Sequence, residues 1–180
     1  MWHRLAPTEL DFVDRSPFQL VNDIVVFAPA ERVFDVLTSE RDMYEWLDAL
    51  AEVRYTSEAP HRVGSTREVV IDLLQRTPRQ QGPGALAVKE RILAWDRGKR
   101  FAFALDQMTI PLVSQMVEDM QLERLGPGRT MLRYRVHYRP NVLMRAVHPV
   151  ARTVFDKMFR DAARRVAMVA ARGGTTASVL

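Results

Sequence analysis

No cysteine occurs among the 180 residues, which removes a disulfide framework, a thiolate metal site and a cysteine nucleophile together. No apolar run approaches the roughly 18 residues that a bilayer span requires. Residues 1–14 hold Trp2, Arg4, Glu9, Asp11 and Asp14 in place of an apolar signal core, so the expected location is cytoplasmic. Lysine is nearly missing: Lys89, Lys99 and Lys157 stand against 23 arginines. The four histidines, His3, His61, His137 and His148, are far apart in sequence. None has a histidine or carboxylate at zinc-ligand spacing, so no metal and no other cofactor is expected. There is no G-x-S-x-G elbow, phosphate-cradling glycine loop or dinucleotide fingerprint, and Gly82-Pro83-Gly84 reads as a turn. Serine hydrolysis, phosphoryl transfer and hydride transfer lose their usual carriers.

What is present is an ordinary globular balance, 47% hydrophobic and 27% charged, at a length suited to one domain. The net charge of +4 is unevenly placed: residues 1–139 sum to −1 and residues 140–180 to +5. A spread basic footprint for nucleic acid is therefore not expected.

Residues 1–17 read as an irregular arm ending at Ser16-Pro17. The run Phe18 to Phe27 is rich in Val, Ile and Phe and predicts a strand. Pro29 then opens a helix carrying Val33, Phe34, Val36 and Leu37. Ser39, with Asp42 three residues on, caps a second short helix whose apolar face is Met43, Trp46, Leu47 and Leu50. From Ala51 to Pro140 the period changes to two and predicts about six strands in meander order. Arg67, Val69, Ile71 and Leu73 share one face of the second of these. Phe101, Phe103 and Leu105 alternate in the fourth. Gln75 to Gly84, polar and holding two prolines and two glycines, predicts a mobile loop.

The last hairpin can be placed in register by centring it on Pro127. That pairs Glu123 with Met131, Gln121 with Arg133 and Asp119 with Arg135 on one face. On the other, Leu122 meets Leu132, Met120 meets Tyr134, Glu118 meets Val136 and Met116 meets Tyr138. One face is charge-complementary and the other apolar, as a half-solvated antiparallel sheet requires.

After Pro140 the helical period returns. Leu143, Val147, Val150, Val154, Met158, Ala162, Val166 and Val169 are expected on one stripe, with Arg145, Arg152, Lys157, Arg160 and Arg164 as the solvent face. Pro149 either starts the main helix or kinks a longer one. Gly173-Gly174 ends it, leaving a flexible tail over 173–180. The fold class is α+β: a curved antiparallel sheet of about seven strands in the order β-α-α-β6-α, gripped by a long C-terminal helix. A helix across a curved sheet leaves a cavity. Its expected lining is Trp46, Val69, Ile71, Val88, Glu90, Ile92, Phe101, Phe103, Met116, Met120, Tyr134, Tyr138, Val154 and Met158.

The segment Val25-Val26-Phe27-Ala28-Pro29-Ala30-Glu31-Arg32-Val33-Phe34-Asp35-Val36-Leu37 resembles the opening motif of the polyketide cyclase/dehydrase group. That group belongs to the START-like helix-grip superfamily (SRPBCC, birch-pollen-allergen-like). Trp46, Val63-Gly64-Ser65, the segment Val88 to Asp96 and the turn Leu125 to Thr130 match in order and spacing. The resemblance covers a single domain at 18–172. It implies a cavity for a polyketide, isoprenoid, sterol or lipid, in a carrier or a cyclase/dehydratase. No catalytic motif of the group carries over residue by residue.

Glu118 is the candidate catalytic group. It lies on the inward face between Met116 and Met120, where desolvation raises a carboxyl pKa and suits it to acid–base work. The alternative is a structural pair with an inward arginine such as Arg67 or Arg165. Glu90 follows the same logic. Tyr134 and Tyr138 would orient a ligand carbonyl or serve as core aromatics. Trp46 and Tyr44 would gate the mouth or simply pack. His137 falls on the outward face, where solvation is expected. Arg165 is expected to pair with Asp161, or, if that meridian of the helix faces the cavity, to bind a polar ligand head group together with it. The basic helix would be a solvated face, or a transient contact with a membrane surface or an acidic partner. The expected partner is a hydrophobic small molecule, bound by a monomer or homodimer. The alternative is an interaction module with a filled core.

Overall fold

A short strand β1 (His3–Arg4) and one helical turn α1 (Phe12–Arg15) precede the long strand β2 (Phe18–Val26). Helices α2 (Ala30–Thr38) and α3 (Glu40–Trp46) follow, and then six strands: β3 (Leu50–Tyr55), β4 (Thr66–Asp72), β5 (Ala85–Asp96), β6 (Arg100–Met108), β7 (Val113–Gly126) and β8 (Arg129–Pro140). A 3₁₀ turn (Val142–Met144) leads towards α4 (His148–Arg172), which places Pro149 in the first turn of the last helix. The computed structural model describes residues 1–72, 85–144 and 148–172, without the side chain of Leu143. The expectations for Leu73, the loop 75–84, the Leu143 side chain, Arg145, Val147 and the tail 173–180 lie outside the described residues.

All strands form one antiparallel sheet in the order β2-β8-β7-β6-β5-β4-β3. β1 takes the part of β6 beyond its pairing with β7. The hairpin register follows the spacing around Pro127 at every expected pair, including Glu118 opposite Val136 and Met116 opposite Tyr138. The Ser39 side chain caps α3 by accepting from the Asp42 N–H at 3.1 Å. Positive φ at Gly126 and Gly128 turns the β7–β8 hairpin, a conformation that costs glycine little.

The concave face of the sheet is covered by α2, α3 and α4, and the main core lies between them. The convex face has a smaller core of its own: Phe12 from α1 sits on Leu93, Ala102, Ala104 and Val117. The segment 1–17, expected as an irregular arm, is thus a strap across the back of the sheet. The Leu5 N–H donates to the Asp106 carbonyl at 2.9 Å and the Ala6 N–H to Ser114 at 3.0 Å. The same strap corrects the expectation for His137. It is buried, not solvated, and shares a 3.0 Å hydrogen bond with the Ser16 hydroxyl.

The apolar stripe of α4 also differs from expectation. Its buried residues are Phe159, Ala162, Ala163, Val166, Val169 and Ala170, whereas Val150 is 73% and Val154 63% exposed. At 100° per residue, an i+4 ladder gains about 40° each step. From Val166 back to Val150 it turns about 160° around the helix, which carries Val154 and Val150 into solvent. Arg165 pairs with Asp48 beyond α3 rather than with Asp161, which takes Lys157 at 2.6 Å. On the hairpin, Asp119 faces Arg135 in register but makes its bidentate pair with Arg100 at 2.7 and 3.0 Å.

Candidate functional site

Alternation along β7 and β8 turns Met116, Glu118, Tyr134, Val136 and Tyr138 towards α4. Together they wall a partly open cavity of about 90 Å³. Phe103, Leu105 and Met108 of β6 extend the wall, and Phe155, Met158, Phe159 and Ala162 of α4 close it. Ile71 and Val88 line it from β4 and β5, and Met43, Trp46 and Leu47 from the α3 end. The Trp46 indole N–H donates to the Val36 carbonyl at 3.1 Å, so that ring is a fixed wall. Four methionines, Met43, Met108, Met116 and Met158, line the space. Their unbranched thioethers allow it to change shape.

Among the described residues, the lining is apolar except for three groups: Glu118, Tyr134 and Tyr138. The Tyr134 hydroxyl donates to Glu118 Oε2. Glu118 lies deep in the protein but opens onto the cavity. Burial pushes its carboxyl up to about 8, and the bond from Tyr134 and the charge of Arg67 only partly oppose this. At neutral pH the group is mostly protonated and can donate. The Tyr134 phenol is raised well above its ordinary value, first by burial and then by the Glu118 charge.

A buried ion pair stands behind this wall. Arg67, 1% exposed, donates through Nε to Glu90 Oε2 at 2.6 Å, and its Nη2 lies 2.5 Å from the same oxygen. Its guanidinium lies 5.2–5.7 Å from the rings of Tyr55, Phe101 and Phe103. Nη1 has no hydrogen-bond partner among the described residues. Burial raises the Glu90 carboxyl, and Arg67 pulls it back.

This architecture coincides with a match along the sequence: the family model described as polyketide cyclase / dehydrase and lipid transport covers residues 17–171. The chain belongs to that family. Solved structures agree in fold. The Zhui aromatase/cyclase from Streptomyces sp. R1128 superposes with a TM-score of 0.73 at 15% identity, over 91% of this chain and 99% of that one. The di-domain ARO/CYC BexL gives 0.63 at 15% identity, over 89% of this chain and 48% of that one. The major latex-like protein 151 of Panax ginseng gives 0.62 at 10% identity, over 84% and 95%. No curated protein matches the sequence. The fold is the helix grip of the START-like superfamily.

In this polyketide cyclase/dehydrase family member, the cavity collects Trp46, Ile71, Val88, Phe103, Met116, Tyr134, Tyr138 and Met158 from the expected lining, together with the candidate catalytic group Glu118. Val69, Ile92, Phe101 and Met120 are buried core residues away from its wall. Glu90 is held by Arg67 and does not face the cavity. Val154 faces solvent, and Tyr44 is half exposed with its hydroxyl accepting from the Val53 N–H at 3.3 Å. Glu118 pairs with neither Arg67 nor Arg165.

Among the lining residues that the sequence pattern passed over, Leu105 and Val136 share faces with expected ones and were within reach of alternation. Met108 was not. The register shift between Lys89 and Glu90 skips Asp106 on β6, and this bulge reverses the parity that would have sent Met108 outwards. Phe155 and Phe159 were missed with the rotation of the α4 stripe.

Proposed function

We propose that the protein binds a small hydrophobic molecule bearing a carbonyl or hydroxyl oxygen, and that Glu118 exchanges a proton with it in cyclase/dehydratase-type chemistry. A carboxyl group kept neutral near pH 7 and opening into an otherwise apolar space is the observation that carries this reading. Bound apolar rings or chains rest on the methionine and aromatic wall, and the oxygen meets Glu118 and Tyr134. As a protonated acid, Glu118 donates to a ketone oxygen while an enol carbon of the same ligand attacks that carbonyl carbon, and the carboxylate takes up the enol hydroxyl proton; or it donates to a hydroxyl that leaves as water, and the carboxylate takes a proton from the adjacent carbon as the double bond forms. Tyr134 holds the carboxyl in place. The void is smaller than the ~150 Å³ cavity that admits benzene, so a multi-ring ligand enters only as the methionine side chains move.

A carrier role without turnover is the second reading. It is favoured by the wall itself, whose only polar groups among the described residues are Glu118 and two tyrosines. Calorimetry with 1-naphthol and naphthalene, on the wild type and on Glu118→Gln and Tyr134→Phe, tests the binding mode. Tighter binding of the naphthol, lost in both variants, supports it; equal binding of the two ligands rejects it. Incubation with a synthetic poly-β-ketone thioester then separates catalysis from carriage. An accelerated appearance of aromatic absorbance, abolished in Glu118→Gln, marks the enzyme, whereas binding without acceleration marks the carrier.

A further inference from the structure

The Glu118–Tyr134 pair serves one part of the cavity, and the end where α4 begins has polar groups of its own. Tyr138 lies four residues from Tyr134 on β8, about 13 Å along the strand. Its hydroxyl shares a 2.9 Å hydrogen bond with His148 Nε2. Phe18 rests beside both, with ring centroids 5.8 Å from Tyr138 and 4.3 Å from His148. The wall reaches solvent here: its residues Leu112 and Phe155 are half-buried, and beside them His148 is half-buried and Arg152 exposed.

Arg152 stands one helical turn after His148, on the same side of α4. Burial raises the Tyr138 phenol, the Arg152 charge opposes it and the Asp156 charge adds a smaller push upward, which places both the guanidinium and that carboxylate within electrostatic reach of the hydroxyl. Every other described cation of α4 has a carboxylate. Lys157 and Arg164 share Asp161, Arg160 takes Asp156, Arg165 takes Asp48 and Arg172 reaches Glu45. Asp156, one turn beyond Arg152, is therefore already engaged. Among the described residues of the helix, Arg152 alone is left without an acidic partner, one turn from the His148 that bonds the cavity-lining Tyr138.

We infer that the ligand is an amphipathic anion, whose apolar body lies in the cavity while its carboxylate or phosphate is held at the rim by Arg152 and His148. The inference rests on the hydrophobic-ligand reading above and adds the chemical class. An anion would be costly at the Glu118 end, where the surroundings are apolar and the nearby Arg67 is already neutralised by Glu90. At the rim it keeps part of its hydration and meets a guanidinium fork suited to two oxygens.

Calorimetry at low salt with decanoic acid, decyl phosphate and methyl decanoate tests this, on the wild type, Arg152→Gln and Arg164→Gln. Arg152 is exposed, so its replacement leaves the core untouched. The wild type is expected to bind one of the anions about tenfold more tightly than the ester. Arg152→Gln erases that preference and Arg164→Gln keeps it. A preference for decanoate assigns a carboxylate, and a preference for decyl phosphate assigns a phosphate. Equal binding of all three, or an anion preference that survives Arg152→Gln, overturns the inference and leaves the cavity reading standing. Failure of all three to bind overturns both.

Discussion

The Tyr134 hydroxyl reaches from β8 to donate its hydrogen bond to Oε2 of Glu118 on β7, and so the two polar groups deepest in the cavity wall are tied to one another. They are diagonal neighbours across the hairpin, since Glu118 faces Val136 and Tyr134 faces Met120. The pair satisfies itself within an apolar setting and still leaves a carboxyl oxygen for a ligand.

Stability is expected to fall with rising pH because of Glu118. Its carboxyl lies at about 8 in the folded protein against an ordinary 4.5. Between these values the folded state holds a proton that the unfolded chain has released. The contribution is fully present below about pH 4.5 and is lost as pH rises towards 8, at up to about 1.4 kcal/mol per unit. Glu118→Gln flattens this part of the profile. Urea denaturation of both proteins at pH 5, 6, 7 and 8 reads the slopes, and parallel profiles would contradict the assignment.

Tyr134→Phe removes a hydrogen bond that lowers the Glu118 pKa. The carboxyl is expected to titrate above 8 in this variant, followed by carbon-detected NMR of the labelled glutamate. Stability at pH 6 should drop by about 1 kcal/mol. An unchanged titration would mean that the hydroxyl does not hold the carboxyl in solution.

Glu90→Leu strands the buried Arg67 guanidinium without its counter-charge. A loss of about 3–5 kcal/mol is expected in chemical denaturation. The double variant Arg67→Met, Glu90→Leu should recover much of it, because no unpaired charge remains. A double variant as unstable as the single one would show that the pair acts through shape rather than charge.

The face of α4 is checked by two matched substitutions. Val154→Asp lies in solvent and should change the melting temperature little, whereas Val166→Asp places a charge in the core and should prevent folding or lower the melting temperature steeply. The reverse order would restore the stripe expected from i+4 spacing.

The strap across the convex face should matter as much as a core element. Phe12→Ala is expected to cost about 3–5 kcal/mol, since Phe12 is 1% exposed against Leu93, Ala102, Ala104 and Val117. A loss under 1 kcal/mol by urea denaturation would show that the strap is dispensable.

How much of this was legible depends on the range of the interaction. Period two placed all six strands after the helix pair, the spacing around Pro127 set the last hairpin residue by residue, and Ser39 marked the start of α3. These features depend on neighbours in the chain, and so the amino-acid sequence by itself determined them, together with the inward direction of Glu118, Tyr134 and Tyr138. Tertiary structure decided the rest. A bulge at Asp106 turned Met108 into the cavity, the strap covered His137, and long side chains chose partners distant in sequence, Arg67 with Glu90 and Arg165 with Asp48. A guanidinium on a flexible stem reaches any carboxylate within several ångströms, and only the folded chain fixes which one is there. Among the described residues of α4, the same fold leaves Arg152 without an acid of its own.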